Sequence, residues 1–394
     1  MRALVRDPRK ERDFQPDEGV LTTDPARIRD DPAVGVVAEV MGGLEPAGTL
    51  VLELLGAGKP VVTANKQLVA QRGPDLFETA AAAGVQLRFE ACVCAAIPVV
   101  KVLRESLVAT NVHRVLGIVN GTTNFILTEM EAGATLPQAL EEAQRRGFAE
   151  ADPTDDLSGA DAAAKMAILA TVAFGARVAL ADVDYRGLEG IPAGLPRAAG
   201  ELDMVVRLVG AATLFDGAFD VRVRPALVDR HHPLAAVEGA FNAVMLQGDA
   251  IREITLEGPG AGGVETASAV VADLVSIIGT TGTGFLHNDP CWRTLERMPP
   301  GDVRSPFYAH LRVDDRPGVL ADMARCLAVH DVSVARLTQV QVVDGAELHV
   351  VLHEARQRDV EAALAEIAQL PQVRGEPSAL PVVSDRGVVE LGWA

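Results

Sequence analysis

Residues 143–165 read AQRRGFAEADPTDDLSGADAAAK. Glu150, Asp152, Asp155, Asp156 and Asp161 stand just ahead of a single lysine, Lys165. The run that starts in this stretch, DLSGADAAAKMAILATVAF, reads as an apolar helix. Asp161 and Lys165 are i and i+4 on it, so they share a face. Carboxylates around one lysine suit a site that holds an ammonium substrate and tunes a proton shuttle. A capped, acidic helix N-terminus with a surface ion pair would use the same residues.

The composition narrows the choice. A chain of 394 residues with 48% apolar content can bury two or three cores. The net charge of −18 argues against nucleic acid and against an anionic membrane surface as partners. No apolar run reaches the roughly 18–20 residues of a membrane span. The opening MRALVRDPRKERD is charged where a signal peptide needs an apolar core. Cys92, Cys94, Cys291 and Cys326 form no disulfide framework and no CxxC. A reduced, cytoplasmic setting fits. Of 36 basic residues, five are Lys (Lys10, Lys59, Lys66, Lys101, Lys165) and 31 are Arg. A lysine that persists against such a bias suits work that needs a proton to come and go, which arginine does not do.

Outward from the acidic run, strands and helices alternate. Residues 33–40 form a short apolar run ending at Met41-Gly42-Gly43, 46–57 read as a helix and 59–63 as the next strand. Residues 74–83 read as an Ala-rich helix and 85–89 as another strand. This spacing predicts an α/β fold with a parallel, Rossmann-like doubly wound sheet. The Gly and polar residues at its strand ends mark the ligand crevice. Residues 306–376 change pattern to βαββα, with DRPGVLA at the first turn, and resemble an ACT domain, a small-molecule regulatory module. There Gly318 lets the backbone approach a ligand, with Asp314 and Asp315 beside it. MPPGDVRSP is the linker. The expected boundaries are 1–91 for the nucleotide-binding domain, completed by part of 258–285, then 92–297 for an α/β catalytic and dimerisation domain. A linker at 298–305, the ACT-like domain at 306–376 and a tail at 377–394 follow.

The acidic run carries a family pattern: Ala143, Gly147-Phe148-Ala149, Asp152-Pro153, Asp156-Leu157, Gly159, Asp161 and Lys165. With MGGLEPA (41–47), KPVVTANK (59–66), RFEACVCAAIPVVKVL (88–103), GIVNGTTNFILTEM (117–130) and nearly all of 224–274, the chain resembles the homoserine dehydrogenases. The resemblance implies interconversion of L-homoserine and L-aspartate 4-semialdehyde with NADP or NAD. It implies a pathway to threonine, methionine and isoleucine, with threonine as effector at the ACT-like domain. It also implies a homodimer or homotetramer. By the same match Lys165, Asp161 and Lys66 are catalytic, and Glu150, Asp156, Thr122 and Phe148 bind substrate. Met41, Gly42, Gly43, Thr63, Asn65, Lys66 and Gly260 lie along the cofactor. Arg6 and Lys10 favour NADP, because a cation at the end of the second strand suits a 2′-phosphate.

Three features depart from the family. Roughly thirty residues holding a first strand and a G-x-G-x-x-G loop have no counterpart. The first strand is central in such sheets, so its lack leaves a gap with unpaired edges. The expectation is that the native protein starts upstream of Met1 or binds its nucleotide poorly. Gly258-Pro-Gly260-Ala-Gly262-Gly263 fits G-x-G-x-x-G literally, but without a following strand or an acid at the right offset. At 93–98, VCAAIP stands where the family has glycines, so Cys94 and Ala96 would be strained if those positions hold positive φ. The backbone carbonyls of Glu90, Val93, Ala95 and Ile97 are there the implied ligands of a monovalent cation. Phe148 replaces a common Tyr. A catalytically impaired homologue that acts as an amino-acid-binding regulatory protein is the alternative. His349 and His353 share a strand face and could bind metal, and His287 and Cys291 lack identifiable partners.

Overall fold

The computed structural model describes residues 1–12, 14, 16–192, 194–280, 295–343 and 345–383. Along the chain come β1 (Ala3–Leu4), β2 (Leu21–Thr22), α1 (Ala26–Arg29), β3 (Val37–Glu39), α2 (Ala47–Gly56), β4 (Val61–Thr63), α3 (Lys66–Ala82), β5 (Leu87–Arg88), α4 (Val99–Lys101) and β6 (Val112–Ile118). Next are α5 (Gly121–Glu131), α6 (Leu136–Arg145), α7 (Thr154–Ser158), α8 (Ala160–Phe174), β7 (Asp184–Tyr185), α9 (Leu195–Glu201), β8 (Met204–Phe215), β9 (Ala218–Asp229), β10 (Phe241–Gly248), β11 (Ile254–Pro259) and α10 (Gly263–Thr280). Then follow β12 (Glu296–Arg297), β13 (Arg304–Val313), α11 (Val319–Val329), β14 (Val334–Val342), β15 (Gly345–Arg356), α12 (Gln357–Ile367) and β16 (Val373–Val383). Two compact units are built from discontinuous segments. The first holds 1–115, 162–183 and the residues from 242 through α10; the second holds 116–161, 184–241 and the residues from 295 on. The cuts include one inside β6, one near the start of α8, one just before β7 and one inside β10.

In the first unit β3, β4 and β5 are parallel neighbours, with Val37 opposite Val61 and Val61 opposite Leu87. Val51, Leu54, Leu55, Val61, Val62 and Leu68 are buried where α2 and α3 meet this sheet, as near-continuous apolar runs require. Helix α3 begins at Lys66, not at residue 74. The Asn65 side chain accepts the Leu68 N–H at 3.1 Å and caps it. Pro74, which reads as a helix start, lies inside it. Strands β1 and β2 pair in parallel as a separate sheet. Between the two sheets is a cavity of about 1110 Å³, lined by Ala3, Leu4, Val37, Ala38, Leu54 and Ile277 among others. Helix α10 exposes an apolar stripe of Val264, Val271, Val275 and Ile278.

In the second unit β8 and β9 form a long antiparallel hairpin, from Met204 opposite Asp229 to Phe215 opposite Ala218. It turns at Asp216-Gly217, with Gly217 at φ 76°. Helices α5 and α9 pack on β8. Strands β12, β7 and β16 pair β9 in parallel at successive points, at Ala218, Arg222 and Leu227. Strand β16 also pairs β13, which joins β15 and then β14, all antiparallel. Alternate residues Phe307, Ala309, Leu311 and Val313 of β13 share one core with α11 and α12. The C-terminal order is therefore βαββαβ. Its last strand extends through Val383, past the expected boundary at 376. Pro377 and Pro381 argue against a strand when read from sequence. The part of the expected tail from 384 on lies outside the described residues.

Gly187 locks the acidic run to the β7 connection. A Cβ there would lie 1.7 Å from the Leu157 carbonyl oxygen, and the Leu188 N–H donates to the same oxygen at 2.8 Å. Both partners are backbone, so neither can rotate away. Gly187→Ala should cost about 3 kcal/mol or more, at the top of the overpacking range. Gly190→Ala, strained at φ 82° but with open space, should cost about 1 kcal/mol. Denaturant midpoints of the two variants check the difference.

Candidate active site

Helix α6 ends at Arg145 with Arg146 as its C-cap, and Gly147 at φ 77° turns the chain away. The N–H groups of Phe148 and Ala149 both donate to the Ala143 carbonyl, at 2.8 and 3.2 Å. This turn delivers Glu150 to the surface, where it is exposed; the Gln144 amide holds its carbonyl at 3.1 Å. Asp152 accepts from the Thr154 N–H and hydroxyl, which hold its carboxyl below the usual range. Helix α7 follows and stops at Gly159, φ 85°. Helix α8 then starts at once, with Asp161 in its first turn and Lys165 one turn later. Both are buried, at 5% and 8% exposure. An apolar helix that buries these two side chains is unlike a solvated ion pair.

One side chain organises the second unit's share of these residues. Asn120, at the end of the β6 segment, caps α5: its Oδ1 accepts the Thr123 N–H at 2.8 Å. Its amide nitrogen donates to Asp156 Oδ1 at 2.6 Å and to Asp161 Oδ2 at 2.8 Å. Two carboxylates are thereby held by one neutral donor group. Thr122, two residues on, donates its hydroxyl to the Phe148 carbonyl at 2.6 Å. The Phe148 ring is partly exposed and packs on Phe125, with centroids 5.1 Å apart.

In the first unit a second network lies at the carboxyl ends of β3 and β4. Thr63 donates to Glu39 at 2.6 Å, and Glu39 accepts the Met41 and Gly42 N–H groups at 2.7 and 3.2 Å. Asn65 donates to the Gly43 carbonyl at 2.6 Å and accepts through its cap of α3. Gly42 and Gly43 both have φ 74°, with open space where a Cβ would be. Thr63 and Asn65 themselves are buried at this strand end. Lys66 is half-buried at the first position of α3. Arg6 and Lys10 are exposed after β1.

Glu90 anchors the turn after β5. Its carboxylate accepts the Val100 and Lys101 N–H groups at 2.9 and 2.8 Å, and its own N–H donates to Asp273 on α10 at 2.9 Å. Burial outweighs those bonds and pushes its carboxyl up to about 7, with nearby Asp273 adding to the rise. Burial raises Asp273 as well. The left-handed strain falls on Cys94 (φ 51°) and Ala95 (φ 20°), not on Ala96 as expected. The Cys94 thiol accepts from the Asn242 amide at 3.4 Å. Gly260 is required by that same Asn242: a Cβ on it would lie 1.9 Å from the amide nitrogen. The literal G-x-G-x-x-G is therefore a packing turn in which Gly260 meets a side chain.

In the C-terminal domain Gly318 has φ 97° at the start of α11. Asp314 accepts from Arg374 at 2.6 Å, and Asp315 from Gln339 at 3.1 Å. His349 meets His310 on the neighbouring strand rather than His353, which is exposed. His287 and Cys291 lie outside the described residues.

Three family models match the chain: "Homoserine dehydrogenase, NAD binding domain" at 2–90, "Homoserine dehydrogenase" at 98–275 and "ACT domain" at 311–372. The homoserine dehydrogenase of Synechocystis sp. is 40% identical over 378 residues, covering 93% of this chain and 87% of the relative. The crystal structure of a homoserine dehydrogenase from Thiobacillus denitrificans superposes with a TM-score of 0.88 at 39% identity, covering 93% of this chain and 86% of that one. The chain belongs to the homoserine dehydrogenase family. A hyperthermophilic archaeal homoserine dehydrogenase solved in complex with NADPH is also similar, with a TM-score of 0.57 and 32% identity over 65% of this chain and 75% of that one. As a homoserine dehydrogenase the chain is an oxidoreductase of amino-acid biosynthesis, with a nicotinamide-binding domain and a C-terminal ACT domain. Among the described residues no helix is long and apolar enough to cross a membrane.

Sequence reading missed three residues of this homoserine dehydrogenase. Glu39 is the polar interruption of the run VVAEV, and that was its signal. Asn120 begins NGTT, a helix-capping pattern next to Thr122. Asp273 interrupts the apolar VVADLV of α10. Asn120→Ala removes a cap and the donor shared by Asp156 and Asp161. It should cost about 2–4 kcal/mol in unfolding free energy. Asn120→Asp keeps a capping oxygen but adds a third carboxylate, so it should lower homoserine turnover more than it lowers stability. Parallel denaturation and rate measurements on both variants test this.

Proposed function

We propose that the chain interconverts L-homoserine and L-aspartate 4-semialdehyde with NADP(H), on the way to threonine, methionine and isoleucine. The observation that carries the reading is the buried Asp161–Lys165 spacing on α8, with Asn120 holding Asp156 and Asp161. The nucleotide-binding domain would hold the nicotinamide, which would supply the hydride acceptor for the alcohol carbon and the donor for the aldehyde. Lys165 takes the hydroxyl proton in oxidation and gives it back to the forming alkoxide in reduction. Asp161 keeps Lys165 oriented and supports its charged form. Glu150 binds substrate, through the ammonium group in this reading, and Asp156, Thr122 and Phe148 are further substrate contacts. Lys66 serves as a second catalytic lysine. Thr63 and Asn65 lie beside the nicotinamide, with Met41, Gly42, Gly43 and Gly260 along the cofactor.

Arg6 and Lys10, exposed after β1, supply the cations that a 2′-phosphate needs. The carbonyls of Glu90, Val93, Ala95 and Ile97 are offered to a monovalent cation. Those of Glu90 and Ile97 each already accept one N–H, at 3.2 and 2.7 Å, which leaves a second lone pair. Threonine is the effector, at the turn of Asp314, Asp315 and Gly318. Assembly as a homodimer or homotetramer is supported by β14, an edge strand that exposes Val334 and Leu337. The free cysteines Cys92, Cys94 and Cys326 support a reduced, cytoplasmic setting. The strained Cys94–Ala95 turn and the separate β1–β2 sheet favour the alternative, a catalytically impaired amino-acid-binding regulator.

Lys165→Ala should lower kcat by about 100- to 10,000-fold. Lys165→Arg should stay nearly as slow, because it keeps the charge but not the easy proton exchange. Near-normal kcat in either variant would remove Lys165 from the mechanism. No turnover in the parent chain, with threonine still bound in calorimetry, would favour the regulator. Separately, Arg6→Ala should raise KM for NADP+ about tenfold and leave KM for NAD+ nearly unchanged. Equal effects on both cofactors would rule out 2′-phosphate recognition by Arg6.

A further inference from the structure

We propose that His310, Glu347 and His349 form a binding site for a divalent transition metal of the zinc class. Their ligand atoms all lie within 4.8 Å of one another. His310 on β13 stands directly opposite His349 on β15, and Glu347 is two residues away on the same face of β15. This face is opposite the one that packs on α11 and α12, since Leu311, Leu348 and Val350 point into that core. The three ligands are thus carried by two hydrogen-bonded strands, a rigid support for a metal.

The donor set and its surroundings suit the chemistry. Two imidazoles and one carboxylate are a common catalytic-type zinc set, with the fourth position left to water. At ligand bonds of about 2.1 Å, tetrahedral donors sit about 3.4 Å apart. His310 Nε2 and Glu347 Oε2 are already 3.6 Å apart. His349 is buried at 6% exposure, and its Nδ1 is 2.6 Å from the Tyr308 hydroxyl. With Nδ1–H donating to Tyr308, His349 presents a bare Nε2, the orientation that outer partners impose on metal-binding histidines. Tyr308 is itself 1% exposed, so this partner is fixed in place. The competing cation is Arg312, 3.5 Å from Glu347 and 59% exposed, a weak partner for a metal to displace.

The test is a zinc titration of the full chain against a chromogenic chelator, with cobalt(II) absorption as an independent reading of geometry. One equivalent of zinc should bind, raise Tm and give the visible bands of four-coordinate cobalt. The double variant His310→Ala/Glu347→Gln, at positions that are only partly buried, should weaken zinc by about tenfold or more. Tyr308→Phe should weaken it by a smaller factor, which a merely structural tyrosine would not do. Zinc affinity unchanged in the double variant would overturn the proposal, as would failure of the parent chain to bind one equivalent.

Discussion

The Asn120 amide is the contact on which the acidic run of the second unit depends. Its nitrogen reaches Asp156 and Asp161 together, and its oxygen starts α5. Two carboxylates near one donor would repel each other if left to themselves. A neutral amide, itself 5% exposed, donates to both. The backbone follows suit. Gly147 and Gly159 bend the chain on either side of the acidic run, and Gly187 presses it against the β7 connection. The site is therefore set by turns and buried polar bonds more than by apolar packing.

The first unit uses the same device at its strand ends. Glu39, Thr63 and Asn65 form a chain of hydrogen bonds that holds the Met41-Gly42-Gly43 loop open. Glu90 and Asp273 tie the turn after β5 to α10. These groups are buried and bonded, so the strand ends are rigid before any ligand arrives, a condition that ordered catalysis favours. The strain at Cys94 and Ala95 sits beside this rigid frame and is held by Asn242.

Much of this was legible in the chain and some was not. The alternation of β3, α2, β4 and β5 followed from apolar period and turn residues. The acidic run and Lys165 stood out by residue type and spacing. What the sequence hid were long-range bonds. Nothing local tells that Asn120 meets Asp161, or that Glu90 meets Asp273. Pro74 looks like a helix start and hides the first turns of α3, although Asn65 offers a better cap. Strand β16 was missed because its prolines read as breakers, yet it gains partners on both β13 and β9. In the VCAAIP turn the left-handed position at Cys94 matches the expectation, and the second falls on Ala95 instead of Ala96.

The central claim is a hydride transfer from homoserine. It is tested most directly by mass spectrometry of the nucleotide after incubation with L-homoserine deuterated at its alcohol carbon and NADP+. The account predicts NADPH carrying one deuterium, formed in step with the aldehyde. NADPH without deuterium, or no reduced nucleotide at all, would contradict it.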